Sequence, residues 1–124
     1  MLFRLDFQSA VPIYRQIRDQ VVLAVAQGEL TPGERLPTTR ALAEDAGVNV
    51  MTVSKAYQLL KAERYLVTDR RAGAVVCAPR GKAAGLSADQ TARLNLLAGE
   101  ARLAGLTLED FVAACKAAFG ETED

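Results

Sequence analysis

The side chains best suited to chemistry in this sequence are cations and hydrogen-bonding groups in two stretches, residues 38–55 and 70–71. An asparagine can bond the edge of adenine, hydroxyl groups can bind bases or phosphates, and lysine or arginine supplies charge for phosphate. The candidate DNA contacts are Thr38, Thr39, Arg40, Asn49, Met51, Thr52, Ser54, Lys55, Arg70 and Arg71. Taken singly, each could equally be a helix cap, a solvated charge or part of a polar turn, so their value depends on whether the fold brings them to one surface.

Catalysis and metal binding are disfavoured by what the composition lacks. The 124 residues include no histidine, which removes imidazole acid–base chemistry, histidine-paired nucleophiles and histidine-ligated zinc. Cys77 and Cys115 are far apart, form no CxxC motif and are predicted to be buried free thiols of a reducing compartment. We therefore expect no catalytic residue, no metal and no cofactor.

The chain also lacks any sequence signal for a membrane. It has no run of 18 apolar residues, and its N-terminus has no charged segment followed by a long apolar one. The sequence therefore predicts a cytoplasmic protein without a membrane partner.

The charge is balanced overall but unevenly distributed. Fifteen basic residues face fifteen acidic ones, so the formal net charge is zero. Residues 1–79 carry ten basic and eight acidic side chains, and residues 35–71 alone carry seven basic and four acidic. Because the positive excess falls on the stretch that holds the candidate contacts, the neutral total does not argue against a nucleic-acid partner.

Helical and extended periods alternate along the first 77 residues. Apolar residues recur at helical spacing over roughly 12–27, where Pro12 favours the first turn and Gly28 the end. The β-prone runs 65–67 and 75–77 flank the polar stretch 69–73 and predict a two-stranded hairpin. A period of two in Phe3-Arg4-Leu5-Asp6-Phe7 predicts an extended arm with one apolar edge.

Two short helices between these elements predict a helix-turn-helix. Ala43 suits the closest approach of the helices, Gly47 suits a turn with positive φ, and Val53 suits the facing side of the second helix. Any antiparallel helix pair could imitate this spacing. The preceding helix and the trailing hairpin together make a winged helix-turn-helix, which is harder to imitate.

The last forty residues predict a separate helical pair. Residues 80–86 are rich in small residues and predict a linker between a domain at 1–79 and a segment at 87–124. Ser87 with Gln90 forms a capping-box pattern, and Thr107 begins a second helix. Because so small a pair buries little surface alone, its apolar side should pack on another chain, although packing on its own head or lining a ligand pocket are alternatives. The predicted dimerisation residues are Leu94, Leu97, Ala101, Leu108, Phe111, Val112, Cys115 and Phe119.

The fold class expected from these patterns is mainly α with a small β-wing, a winged helix-turn-helix followed by a two-helix dimerisation hairpin. The run Pro32-Gly33-Glu34-Arg35-Leu36-Pro37-Thr38-Thr39-Arg40, continued by Gly47-Val48-Asn49 and Thr52-Val53-Ser54-Lys55-Ala56-Tyr57, resembles the DNA-binding domain of GntR-superfamily bacterial regulators. The start of the chain, with Pro12-Ile13-Tyr14 and Gln16-Ile17, and the short two-helix tail resemble the YtrA-like branch.

The resemblance implies a function and a set of roles. It implies that Arg40 contacts the operator, that residues 49–52 face the major groove and that Arg70 belongs to a DNA-contacting wing. It further implies a homodimeric regulator, in the manner of repressors of transporter operons, that binds a near-palindromic operator. Departures from the family pattern are Thr38 for a serine, Met51 for a polar residue and Ala72-Gly73-Ala74 for Gly-x-Gly.

Two other functions fit the same patterns. A winged helix can serve as a protein-interaction module, and the chain could be the free-standing head of a larger regulator. The ordered two-helix end and the acidic residues 121–124 favour a complete short regulator over such a head.

Overall fold

The chain forms five helices and one two-stranded sheet within the residues that the structure describes. A computed structural model describes residues 3–77, 81 and 83–120. In chain order the elements are α1 (Ile13–Ala26), α2 (Thr39–Ala46), α3 (Val50–Ala62), β1 (Leu66–Asp69), β2 (Gly73–Val76), α4 (Ala88–Leu103) and α5 (Leu108–Phe119). The predicted fold class, a helical protein with a small β-wing, is confirmed.

The chain divides into two compact units, which we call the N-terminal unit (Met1–Arg80) and the C-terminal unit (Gly81–Asp124). The predicted linker, 80–86, falls partly outside the described residues, and the acidic end, 121–124, falls wholly outside them.

The helix-turn-helix has the local structure that its sequence favours. The Thr38 hydroxyl accepts a hydrogen bond from the backbone N–H of Ala41 at 3.0 Å, which caps α2. Gly47 ends α2 in the left-handed region at φ 69°, where glycine is the residue with the least strain. Ala43 and Val53 are both buried where α2 packs on α3, as predicted.

One hydrophobic core joins the helices to the hairpin. The apolar stripe of α1 packs on α3, which also packs on α2 and β1. Each buried leucine, isoleucine or valine contributes about 1.5–3 kcal/mol of hydrophobic stabilisation. The core residues are Ile17, Val21, Ala24, Leu30, Leu36, Leu42, Ala43, Val53, Ala56, Tyr57, Leu60, Leu66 and Val76.

The hairpin is widened by the segment that precedes α2. Strands β1 and β2 pair antiparallel, with Leu66 opposite Val76. The N–H of Leu36 donates to the carbonyl of Ala74 at 2.9 Å, and Arg35 forms a bridge with Val75. This pairing fixes Arg35 beside the hairpin, although Arg35 and Val75 are forty residues apart in sequence.

The N-terminal arm is held by two glutamine side chains of α1. Gln16 and Gln20 each accept from one backbone N–H of the arm and donate to one of its carbonyls, at 2.8–2.9 Å. Phe3 and Leu5 pack against the core, as the alternation predicted. The prediction was wrong for Phe7, which is exposed because the chain enters a turn there.

An ion pair ties α1 to the end of α3. The Arg18 guanidinium donates through Nε and Nη2 to the two carboxylate oxygens of Glu63, at 2.9 and 2.7 Å, and through Nη1 to Asp19 at 2.9 Å. The Arg18 side chain is nearly buried, and the hydrogen bonds to Glu63 chiefly raise its pKa above the ordinary value. Arg18 therefore stays charged and crosslinks the two helices.

The C-terminal unit is a pair of helices, each with a capping box, whose apolar side chains are exposed. Ser87–Gln90 and Thr107–Asp110 are both complete capping boxes, the first as predicted. Among the described residues, neither α4 nor α5 has a buried residue. The prediction of two buried thiols was wrong for the chain by itself, since Cys77 is half-buried and Cys115, on the apolar side of α5, is exposed.

Candidate nucleic-acid interface

An open groove of about 500 Å³ lies between α3, the start of α2 and the hairpin tip. Its walls combine four cations, several hydroxyl groups and an amide. The lining residues are Arg35, Leu36, Thr38, Thr39, Ser54, Tyr57, Gln58, Lys61, Leu66, Thr68, Arg70, Arg71, Ala72, Gly73 and Ala74. Among the described residues no acidic side chain lines the groove, so its charge favours an anionic partner such as a phosphate backbone.

The groove unites half of the predicted contacts and adds residues that the sequence analysis missed. Thr38, Thr39, Ser54, Arg70 and Arg71 come together there. The missed residues are Arg35, Gln58, Lys61 and Thr68. Helical spacing from Ser54 could have identified Gln58 and Lys61, which lie four and seven residues further on.

The other predicted contacts lie outside the groove. Arg40, Asn49 and Met51 are exposed at the starts of α2 and α3, and Thr52 is half-buried in the first turn of α3. The contact roles of all ten residues stay predictions, with their positions now defined.

Asn49 has a structural role that bears on its chemistry. Its side-chain oxygen accepts a hydrogen bond from the N–H of Met51 at 2.7 Å and caps α3. The plain alternative, a helix cap, is thus confirmed. Its amide NH2 group is the part of the side chain that remains to donate to a base.

Lys55 is exposed on α3 but packs on an aromatic ring. Its Nζ lies 4.1 Å from the centroid of the Tyr14 ring on α1, within cation–π range. The ring holds the ammonium group at the surface of α3 and reduces the conformational freedom that a phosphate contact would otherwise have to restrict.

The hairpin tip is ordered by an aspartate. The Asp69 carboxylate accepts from the backbone N–H groups of Arg71, at 2.7 Å, and Ala72, at 3.2 Å. These bonds lower the pKa of Asp69, the Arg71 bond most, so the turn is held at neutral pH. Gly73 takes φ 77°, and the turn places both arginines at the groove.

Tyr57 fastens the floor of the groove. Its hydroxyl donates to the carbonyl of Pro37 at 2.8 Å, which ties α3 to the residues just before α2. Burial raises the pKa of Tyr57 to about 12. Because the neutral phenol is favoured in the folded chain, this stabilisation is complete below the unfolded pKa of 10.0 and is lost as pH rises through about 12.

Replacing Tyr57 by phenylalanine tests that coupling. We expect Y57F to lower the free energy of unfolding by about 1 kcal/mol at pH 7, through loss of the hydrogen bond to Pro37. The difference in unfolding free energy between wild type and variant should shrink between pH 10 and 12, because only the wild type loses the stabilisation that the neutral Tyr57 phenol provides. Urea unfolding measured at pH values from 7 to 12 gives this difference, and a constant difference across the range would contradict the assignment.

The described part of the chain contains neither a metal-binding cluster nor a helix that could cross a membrane. No group of three or more His, Cys, Asp or Glu side chains there could hold a metal ion. None of the described helices combines the length and apolar character needed to cross a bilayer.

Sequence comparison places this site in a family of regulators. Residues 13–76 match the model of bacterial regulatory proteins of the gntR family. The chain is 36% identical over 107 residues to the transcriptional regulator Rv1152 of Mycobacterium tuberculosis, covering 86% of this chain and 85% of that protein. It is 37% identical over 75 residues to the transcriptional repressor YtrA of Bacillus subtilis, covering 60% of this chain and 58% of YtrA. The chain thus spans most of Rv1152 but little more than half of YtrA.

Solved structures of transcription regulators resemble this chain. A transcriptional antiterminator from Listeria monocytogenes superposes with a TM-score of 0.84 at 25% identity, covering all of this chain and 98% of the other. YtrA from Sulfolobus acidocaldarius, a GntR-family transcription factor, gives 0.63 at 35% identity over 82% of this chain and 99% of its own. The AraR DNA-binding domain in complex with operator ORX1 gives 0.54 at 25% identity over 60% of this chain and 96% of its own.

Proposed function

This chain belongs to the gntR family of bacterial regulatory proteins, DNA-binding transcriptional regulators, and on that premise we propose that it is a repressor that binds a near-palindromic operator as a homodimer. The observation that supports a DNA-binding surface is the groove beside α3. Its hydroxyl groups share the lining with four cations, those of Arg35, Lys61, Arg70 and Arg71. The operator complex of the related AraR domain supports the same mode of binding.

The homodimer is supported by the C-terminal unit. Its two helices carry exposed apolar side chains at helical spacing, among them Leu97 on α4 and Val112 on α5. A pair of helices this small buries too little apolar surface to be stable without a partner. We propose that a second copy of this chain covers that surface through residues 87–124, and that residues 1–79 bind the DNA.

Twofold symmetry then determines the form of the operator. Two copies of α3 related by a twofold axis would enter the major groove about one DNA turn apart and read inverted half-sites. Binding there would block transcription. The proposal extends to a transporter operon, a cytoplasmic location and the absence of catalysis, the last because the chain has no histidine.

Removing the two wing arginines tests the DNA surface. We expect R70A/R71A to weaken binding to the protein's own upstream region at least about tenfold at 150 mM salt, because phosphate contacts of both copies are lost. The slope of log affinity against log salt should fall by about 2–4 for a dimer, since each lost phosphate contact removes about one unit. Fluorescence anisotropy over a salt series measures both quantities.

The matched control removes two charges elsewhere. R4A/R15A changes the net charge equally, but neither residue lines the groove or lies in the proposed dimerisation segment, so its affinity and slope should stay near those of wild type. Equal losses in both double variants would mean that only net charge matters. No retardation of any duplex at low salt would overturn the proposed function and would favour a protein-interaction module.

A further inference from the structure

The first turn of α3 presents an apolar side chain at the DNA-facing end of the helix. Met51 is 74% exposed, and its neighbour Val50 is 42% exposed. The inward residues of the same helix, Val53 and Leu60, are completely buried. The N-terminal unit therefore leaves the Met51 side chain uncovered.

Helical geometry places Met51 among polar groups. Met51, Lys55 and Gln58 recur at intervals of four and three residues and so share one side of α3, opposite the buried stripe. Gln58 lines the basic groove, and the Lys55 ammonium group lies on Tyr14. Met51 is thus the apolar member of an otherwise polar and cationic surface that faces an anionic partner.

The position on the helix decides which part of DNA Met51 reaches. In a helix-turn-helix the N-terminal residues of the second helix contact base edges, while charges further along contact phosphates. The thioether has no hydrogen-bond donor and only a weak acceptor, and its flexible, polarisable chain adapts to apolar groups. Among the groups that base pairs present in the major groove, the apolar one is the C5-methyl group of thymine.

We infer that Met51 packs on the C5-methyl group of one thymine in each half-site and makes the protein specific for thymine there. The inference rests on the proposed operator binding. It assigns a direct reading role to the residue that departs from the polar family pattern.

Replacing thymine by uracil removes only that methyl group and so tests the contact. Duplexes of a bound sequence, each with one symmetric pair of thymines replaced by deoxyuridine, are titrated with wild type and with M51A. At one symmetric pair of positions, the replacement should weaken wild-type binding about fourfold per methyl group, or about fifteenfold for both half-sites. This is the effect expected for burying a methyl group. M51A should bind the thymine duplex about as weakly as wild type binds that uracil duplex, and should not distinguish the two.

An exposed apolar residue on α1 provides the control. L23A removes a comparable apolar side chain away from α3 and should keep the full thymine-to-uracil ratio. The inference would be overturned, with operator binding intact, if wild type bound every uracil duplex as tightly as the thymine duplex. It would also be overturned if M51A kept the wild-type ratio of affinities for the thymine and uracil duplexes. If wild type bound the selected duplex no more tightly than a duplex of random sequence, the proposed function would be overturned as well.

Discussion

Charging the apolar surface of the C-terminal unit is expected to convert the protein to a monomer and to weaken operator binding by about 10²–10⁴-fold. Leu97 and Val112 are 57% and 42% exposed, so L97E/V112E places two carboxylates in the proposed interface without disturbing a packed core. Once the copies separate, each N-terminal unit binds its half-site alone, and the gain from linking two binding events disappears. Sedimentation measures the oligomeric state and anisotropy the affinity.

Two controls separate dimerisation from unfolding and from added charge. L23E introduces a carboxylate at a similarly exposed leucine of α1 and should remain dimeric. Circular dichroism of L97E/V112E should retain the helices of the N-terminal unit. A variant that stays dimeric, or a monomer that binds the full operator as tightly as wild type, would contradict the proposed interface.

Breaking the ion pair between α1 and α3 is expected to have the largest effect on stability. R18A should lower the free energy of unfolding by about 2 kcal/mol, since it removes two charge-assisted hydrogen bonds to the half-buried Glu63 carboxylate and the packing of a nearly buried side chain. Replacing both members by apolar residues, as in R18M/E63L, should recover much of that loss because no charge is left to desolvate. Urea unfolding at fixed protein concentration measures both variants.

The comparison for this prediction is an exposed pair of the same chemistry. Arg93 and Asp89 form an ion pair at 3.2 Å, but both side chains are mostly exposed. R93A should therefore cost less than about 1 kcal/mol. A loss in R18A no larger than that in R93A would show that the Arg18–Glu63 pair contributes little.

Local patterns predicted the elements well because local forces form them. The left-handed turn at Gly47, the cap at Thr38 and the capping box at Ser87 depend on residues within a few positions of one another. Packing at Ala43 followed from helical spacing alone. These features made the helix-turn-helix predictable before the tertiary structure was known.

The groove was harder to predict because long-range pairing builds it. Arg35 joins the surface because its segment pairs with β2, and no local pattern records that bridge. Asn49 was a candidate both for a base contact and for a helix cap, and its oxygen caps the helix, a competition that composition does not resolve. The exposure of Cys115 differs from expectation because, among the described residues, the contact between α4 and α5 buries no side chain of either helix.

Selection of bound sequences from random DNA tests the central claim most directly. The homodimer predicts enriched sequences with two inverted half-sites whose centres lie about one helical turn, or a multiple of it, apart. Each half-site should contain a thymine at one constant position. A single asymmetric site, or no enrichment at low salt, would contradict the account.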